Sequence, residues 1–166
     1  IEHTLYIEKD VWAKFKSQAN KYNVSYSSAL LGLFGSVISY FSGYKEFLIT
    51  MTLFNRYAIH NEVQNILGDF TSTNLFHYVD YGSKLIKNLK RTHNLMWDDI
   101  NNALYTGLEV QREIAHFNKL ANNKAISPIV FTGMVGNKPD TVEVKRYLED
   151  NELIERRYWC GQTSQD

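Results

Sequence analysis

The central stretch of the chain, residues 47–76, has the clearest pattern of apolar and polar positions. It opens with an almost unbroken apolar run, FLITMTLF, over residues 47–54. A short run that is rich in β-branched and aromatic residues predicts a strand covered on both faces. The run stops at an Asn-Arg pair, and a polar loop leads through GDFT, at residues 68–71, into a second strand predicted over residues 72–79. Functional groups often lie on loops at the ends of rigid strands, so the asparagine and the GDFT turn are the first candidates for a site.

Apolar residues recur at three- and four-residue intervals in four segments, which predicts four helices. The first helix is predicted to be capped by Asp10, and the third and fourth span residues 82–103 and 106–121. Shorter apolar runs predict further strands, over residues 3–8, 128–135 and 158–163. Acidic pairs such as Asp98-Asp99 are predicted to be solvated helix surface.

The second helix is predicted to start at Ser25 or Ser27 and to end at Gly43. It is apolar nearly all round, which is typical of a buried helix rather than an amphipathic one. Gly32 and Gly35 lower its helix propensity, so we expect close packing against another element there.

Strands that alternate with pairs of helices predict an α/β fold, in which helices pack on one mixed sheet. The 166 residues fit one domain or one large lobe, and no internal repeat or linker divides them. We expect residues 47–54 and 128–132 to be strands of one sheet. Asn55 and Thr132, which follow or end these two strands, would then lie on the same side of the sheet.

Composition and charge exclude several classes of partner. The 18 basic and 18 acidic residues balance and no dense Lys/Arg block is present, so nucleic acid is not an expected partner. The five histidines show no metal-ligand spacing, so no metal site is predicted. The longest apolar stretch, residues 29–41, is too short and too interrupted by Gly and Ser to span a membrane. The single cysteine, Cys160, fits a reducing compartment, so a cytoplasmic location is expected.

Three polar positions are candidates for chemistry, and each also has a purely structural interpretation. Thr132 ends an apolar strand, where its hydroxyl can donate or accept a hydrogen bond; taken alone, this pattern favours a threonine that satisfies its own strand edge. Asn55 fits a residue that caps the end of a strand as well as it fits a residue with a role in the chemistry. Asp69 fits a turn-forming residue whose carboxylate accepts from nearby backbone amides.

Four short motifs occur in order along the chain: TLFNR at residues 52–56, GDFT at 68–71, SPIVFT at 127–132 and QTSQ at 162–165. Together they resemble the heterocyclization domains of nonribosomal peptide synthetases, a branch of the condensation-domain superfamily. The corresponding family motifs of the last two are PVVFTS and SQTPQ. Amide-forming condensation domains carry a G-x-F-x-N-type segment in place of GDFT. The match covers nearly the whole chain but only the second half of such a domain.

The resemblance implies that residues 1–166 form a single lobe similar to chloramphenicol acetyltransferase, the C-terminal half of the domain. An N-terminal lobe, expected to precede Ile1, would face it across a channel. The implied reaction joins a carrier-bound acyl thioester to Cys, Ser or Thr on a second peptidyl carrier domain. Cyclodehydration then gives a thiazoline or oxazoline in antibiotic or siderophore biosynthesis. No cofactor is expected in the lobe itself, because phosphopantetheine belongs to the carrier domains.

The resemblance also assigns roles to residues. Thr132 matches the motif threonine that assists cyclization and dehydration, and Asn55 matches the asparagine of the NR pair, so both are predicted to be catalytic. Asp69 and Thr71 of GDFT are predicted to bind substrate or order the site. Gln162 and Thr163, from the last motif, have the same predicted role.

Departures from the family pattern leave alternatives open. Gly133 replaces the usual serine after the motif threonine, and Gly161 and Ser164 alter SQTPQ. The family's catalytic aspartate lies further on; Asp166 stands at a valine position and does not take its role. The first-lobe motif, DxxxxD, is not in the chain either. The alternatives are an amide-forming condensation or acyltransferase lobe, or a non-catalytic fragment that docks carrier domains.

Overall fold

The computed structural model describes residues 3–54, 59–119, 125–133 and 135. The elements within them are listed here in chain order: α1 (Lys9–Lys21), α2 (Tyr26–Ser42), β1 (Glu46–Phe54), a 3₁₀ turn (Val63–Asn65), β2 (Thr71–Val79), α3 (Leu85–Asn101), α4 (Gly107–Phe117) and β3 (Val130–Phe131). The chain divides into two units, Ile1–Gly133 and Met134–Asp166, and all of these elements lie in the first. The predicted strand over residues 158–163 lies outside the described residues.

β1 is the central strand of a mixed sheet whose order, among the described residues, is β2-β1-β3. It pairs antiparallel with β2, from Glu46 opposite Val79 to Phe54 opposite Thr71. It pairs in parallel with β3, and Met51 stands beside Phe131. The predicted α/β class and the shared sheet are therefore confirmed. β3 is shorter than its prediction of residues 128–135; proline at 128 has no N–H to donate to a ladder, which accounts for the late start of the strand.

The core lies on the sheet face that α2 and α3 cover. Its members are buried side chains from the first two strands and from both helices: Leu31, Ile49, Met51, Phe76, Tyr78 and Met96. The middle of β1 is buried on both faces, as the continuous apolar run predicted, because Thr50 on the other face is also buried. Burial of each large apolar side chain contributes about 1.5–3 kcal/mol before conformational entropy is counted.

The ends of α2 follow the predicted capping chemistry. The Ser25 hydroxyl accepts from the Ser28 N–H, which identifies Ser25 rather than Ser27 as the N-cap. Gly43 adopts a left-handed conformation, with φ of 76°, and its N–H donates to the Ser39 carbonyl.

The two glycines inside α2 permit the expected close packing. A Cβ at Gly35 would lie 2.3–2.8 Å from the ring of Tyr78, and one at Gly32 would lie 2.6 Å from Leu89. The Tyr78 hydroxyl is also hydrogen-bonded to Ser36, at 3.0 Å, so the ring is held against the helix.

The prediction that α2 is buried all round is wrong for its last turns. Val37, Tyr40 and Phe41 are 55%, 80% and 81% exposed. They lie three and four positions apart, so they share one face of the helix. A helix that packs on one face of a sheet buries one stripe, and the described residues do not cover the other.

The start of the chain differs from its prediction. Residues 3–8 alternate in polarity but form no strand and are exposed. The N-cap of α1 is Glu8, without a side-chain cap bond, so the predicted cap at Asp10 is also wrong. Asp10 lies in the first turn instead, 3.6 Å from Lys14, where its charge suits the positive end of the helix dipole.

α3 and α4 are shorter than predicted for local reasons. Gly82 has a φ of 63°, so α3 begins only at Leu85. Thr106 caps α4 in a reciprocal pair with Glu109, whose carboxylate accepts from the Thr106 N–H at 2.7 Å. The helix ends at Phe117, two residues before Lys119, which has a φ of 49°.

The Asp80 carboxylate joins three elements where β2 ends. One oxygen accepts from the Gly82 N–H at 2.9 Å and from Asn88 of α3 at 3.2 Å. The other accepts from Ser39 of α2 at 3.2 Å and from Lys45, just before β1, at 3.1 Å. The Gly82 N–H, and after it Lys45, hold the pKa of Asp80 below its ordinary value.

No single helix in the described part of the chain is long and apolar enough to cross a membrane. α1 and α2 reach the required length and composition only as a pair, and the pair is bent by 102°.

The close contact at Gly35 predicts a loss of stability on substitution. Gly35→Ala should lower the free energy of unfolding by about 1–3 kcal/mol, because the new methyl group overpacks against the held ring of Tyr78. Urea unfolding of the purified chain measures the change. Gly68→Ala is the matched control, since a Cβ there would lie 3.6 Å from Phe70, in ordinary contact. Equal unfolding midpoints for the two variants would contradict the close packing.

The bonds to Asp80 predict a pH-dependent contribution to stability. The folded pKa is lowered from 3.8, so the ionised carboxylate stabilises the fold above that pH and loses this effect as the pH falls through the lowered pKa. Asp80→Asn should therefore cost about 1–3 kcal/mol at pH 7, and the difference from wild type should shrink at pH 3 and below.

Urea unfolding across this pH range measures the effect, with Asp10→Asn as the control. Both partners in the Asp10–Lys14 pair are largely exposed, so this control should cost less than about 1 kcal/mol at any of these pH values. A deficit of Asp80→Asn that stays constant down to pH 2 would contradict the role of the charge.

Candidate functional site

The candidate site lies at the end of the sheet where β1 ends, β2 begins and β3 ends. Because β1 and β3 are parallel, their carboxyl ends share this edge, and antiparallel β2 starts there. Thr132 follows β3 directly, and Thr71 stands opposite Phe54. Of the predicted site residues, the structure therefore brings Thr132, Thr71 and the adjacent Asp69 to one end of the sheet. Asn55, Gln162 and Thr163 lie outside the described residues, and their roles stay predictions.

The hydroxyl of Thr132 bonds to a side chain of the neighbouring strand. Its oxygen lies 2.9 Å from the hydroxyl oxygen of Thr52, and either can be the donor. Thr132 is exposed and Thr52 is half-buried. A cross-strand bond between two threonines also stabilises sheets in general, so the structural interpretation of Thr132 is not contradicted by this contact. The contact leaves Thr132 accessible from solvent while one of its hydrogen-bonding positions is fixed.

Three threonines form a row across the three strands. Thr52 is directly opposite Thr73 of β2, and the register of Met51 beside Phe131 places Thr52 in step with Thr132. Their side chains alternate with those of the core, so the threonine row (Thr73, Thr52 and Thr132) lies on the face away from α2 and α3. The sequence pattern predicts no role for Thr52 or Thr73. The alternation of Thr50 and Thr52 within an apolar run was the available signal.

The GDFT turn is held by its own aspartate. The Asp69 carboxylate accepts from the Thr71 N–H at 2.8 Å, as the turn-forming interpretation predicted. Hydrogen bonds from the Thr71 hydroxyl and N–H hold the pKa of Asp69 below its ordinary value. Asp69 thus fixes the entry into β2, next to the end of β1.

Gly133 departs from the family pattern in a place where a side chain would be crowded. A Cβ at this position would lie 3.0 Å from the ring of Phe131 and 3.8 Å from the Cβ of Ser27. The Phe131 ring itself packs on Phe34 of α2, with 5.8 Å between ring centroids. A serine here would require the Phe131 ring to shift by a few tenths of an ångström.

Asp99 differs from its predicted role as solvated helix surface. Burial, reinforced by the neighbouring Asp98 charge, raises the pKa of Asp99 to about 6, although His77 acts in the opposite direction. His77 lies four residues beyond Thr73 along β2, roughly 13 Å at the usual rise of a strand.

Among the described residues, the chemistry available at this end of the sheet is that of hydroxyl, carboxylate and backbone groups. No group of three or more potential metal ligands occurs in the described ranges. A threonine hydroxyl has one donor hydrogen and two acceptor lone pairs, so Thr132 can bond to Thr52 and still offer a donor or an acceptor to a bound molecule. An exposed hydroxyl in this position can orient or stabilise a carbonyl oxygen.

No protein-family model matches the chain. Individual proteins do: bacitracin synthase 1 of Bacillus licheniformis is 30% identical over 137 residues, or 81% of this chain. Pyochelin synthetase PchF of Pseudomonas aeruginosa is 27% identical over 162 residues, or 96% of this chain. The chain spans 3% of the first relative and 8% of the second.

A solved structure agrees with these relatives. The EpoB NRPS cyclization-docking bidomain from Sorangium cellulosum superposes with a TM-score of 0.68 at 28% identity, over 78% of this chain and 26% of that one. This match confirms the fold expected from the resemblance, an α/β lobe like that of chloramphenicol acetyltransferase. Sequence and fold together show that the chain corresponds to part of the condensation and cyclization domain region of nonribosomal peptide synthetases.

Proposed function

We propose that the chain is the second lobe of a heterocyclization domain and supplies one wall of its reaction channel. The observation that carries the proposal is Thr132: the motif threonine stands exposed at the end of the sheet and is bonded to Thr52 of the TLFNR motif. Two motifs far apart in sequence thus meet through their side chains. The similarity to a cyclization-docking bidomain and to a pyochelin synthetase supports the same assignment.

The reaction has two stages, and its substrates arrive on phosphopantetheine of carrier domains. In the first, the amine of carrier-bound Cys, Ser or Thr attacks the donor thioester carbonyl. A C–N bond forms, the C–S bond breaks, and the departing thiolate takes up the amine proton. In the second, the side-chain thiol or hydroxyl adds to the new amide carbonyl and gives up its proton, and the carbonyl oxygen takes up one proton to become a hydroxyl. That hydroxyl takes up a second proton and leaves as water, and the nitrogen loses its proton, which balances the second one and gives the C=N bond of the ring.

The second stage makes the greater demand on the site, because charge develops on the amide oxygen and a proton must reach it. We assign to Thr132 the donation to that oxygen; the support is that Thr132 is exposed and that its hydroxyl has a second, defined contact with Thr52. Asn55, which follows β1 in the chain, would orient the carbonyl or the leaving water. Asp69 and Thr71 order the neighbouring turn, and the roles of Gln162 and Thr163 stay predictions that rest on their motif.

The test is reconstitution with the complete domain and with this chain alone. Each is mixed with carrier domains loaded with a donor acyl group and with cysteine, and the products are analysed by mass spectrometry. The complete domain should release ring product, whereas the 166-residue chain should release none. Addition of the preceding lobe should restore activity, because positioning both substrates requires two walls.

The other outcomes separate the alternatives. Amide without ring from the complete domain would support an amide-forming lobe, and carrier binding without any product would support a docking role. Ring formation by the isolated chain would overturn the two-lobe proposal.

Thr132→Val in the complete domain should selectively impair the second stage. The substitution keeps the branched shape and removes the hydroxyl, so ring formation should fall by roughly 10²–10⁴-fold. Uncyclized amide should accumulate, because the first stage depends less on that hydroxyl. Thr132→Ser, which keeps the hydroxyl, is the control and should retain most of the ring formation. Full ring yield from Thr132→Val at unchanged thermal stability would return Thr132 to a purely structural role.

A further inference from the structure

We propose that Thr52 is a positioning residue that sets the orientation of the Thr132 hydroxyl during ring closure; this inference rests on the proposed function above. Thr52 belongs to the TLFNR motif but precedes its Asn-Arg pair. It contacts Thr132 through a side-chain bond of 2.9 Å between the two hydroxyl oxygens. Nothing in the pattern of the sequence pairs these two residues, which are 80 positions apart.

Thr52 is well placed for this role because its strand is held on both sides. β1 pairs with β2 along nine residues, and its middle is buried. The residue two positions before Thr52, Thr50, anchors β3: its N–H donates to the Ile129 carbonyl at 2.8 Å, and its hydroxyl donates to the Ser127 carbonyl at 3.2 Å. The segment that precedes Thr132 in sequence is therefore held beside β1.

Thr132 itself has less support from the sheet. The pairing of β3 with β1 ends at Phe131, so Thr132 lies one residue beyond the last paired position. Without a partner, a threonine hydroxyl can rotate about its C–O bond and its side chain can choose among rotamers. The bond from the rigid Thr52 restricts this choice, and it does so on the exposed face, where a substrate would approach.

The pairing of two hydroxyls also suits a residue that must change its role. When Thr52 donates, Thr132 keeps its own hydrogen for the carbonyl oxygen of the substrate. When Thr132 donates to Thr52, its lone pairs are free to accept. No proton crosses to Thr52 in either arrangement, so Thr52 positions the hydroxyl without taking part in the proton transfer.

The test measures amide and ring formation separately for variants of the complete domain. Thr52→Val should slow ring formation by on the order of tenfold, the factor expected for one lost orienting hydrogen bond, and should leave amide formation unchanged. Thr52→Ser should restore ring formation, because it keeps the hydroxyl. Thr73→Val is the matched control: it removes a hydroxyl from the same row, on the side of Thr52 away from Thr132, and should leave both products near wild type.

A double-mutant cycle shows whether Thr52 acts through Thr132. Thr52→Val should add no further loss in a Thr132→Val background, because the hydroxyl that it orients is already absent. Additive losses, or equal losses from Thr52→Val and Thr73→Val, would show that the effect comes from the sheet rather than from the pair, and would overturn the proposal. Unfolding midpoints are measured for every variant, and Thr52→Ala replaces Thr52→Val if the latter fails to fold.

The failure of this inference is distinguishable from the failure of the proposed function. If the wild-type complete domain forms amide but no ring, the proposed function fails and the role of Thr52 falls with it. If the wild type and Thr52→Val form rings at the same rate, the proposed function stands and only the role of Thr52 is overturned.

Discussion

The two-sided pairing of β1 is the constraint on which the rest of the structure depends. Its antiparallel register with β2 fixes where the GDFT turn meets the end of β1, and its parallel register with β3 fixes where Thr132 emerges. A slip of one residue in either ladder would exchange the two faces of a strand, so core residues and threonines would change places. The register is therefore specified by the burial of Ile49, Met51 and Phe76 on the helix-covered face. Burial of the core side chains therefore also determines which residues meet at the candidate site.

Two devices hold the helices against this strand pair. At Gly35 the helix α2 is so close to β2 that the Tyr78 ring lies where a side chain would otherwise stand, and at Gly32 the side chain of Leu89 from α3 lies equally close. At the opposite end of the sheet from Thr132, the Asp80 carboxylate binds groups from α2, from the residue before β1 and from α3. Among the described residues, the close contact at Gly35 and the four bonds to Asp80 thus lie away from the proposed chemistry.

The sequence predicted the features that depend on local chemistry. The apolar run of β1, the Ser25 cap, the Gly43 terminus and the close approach at Gly35 all follow from properties of the residues themselves. The predictions that were wrong concern features that depend on the neighbouring elements of the fold. Residues 3–8 alternate in polarity, but a strand also needs a partner to bond with. The exposure of Phe41 and the partial burial of Asp99 depend on which faces the neighbouring elements cover.

The same distinction applies to the site. Motif order identified Thr132 and Asp69, because each motif is contiguous in sequence. The contact between Thr132 and Thr52 joins two motifs 80 residues apart, and only the parallel register of two strands creates it. A motif therefore marks candidate residues that are contiguous in sequence, whereas the side chain that contacts such a residue can come from a strand whose pattern indicates nothing but burial. For this fold, partners of motif residues are best sought one strand across, at the same register and on the same face of the sheet.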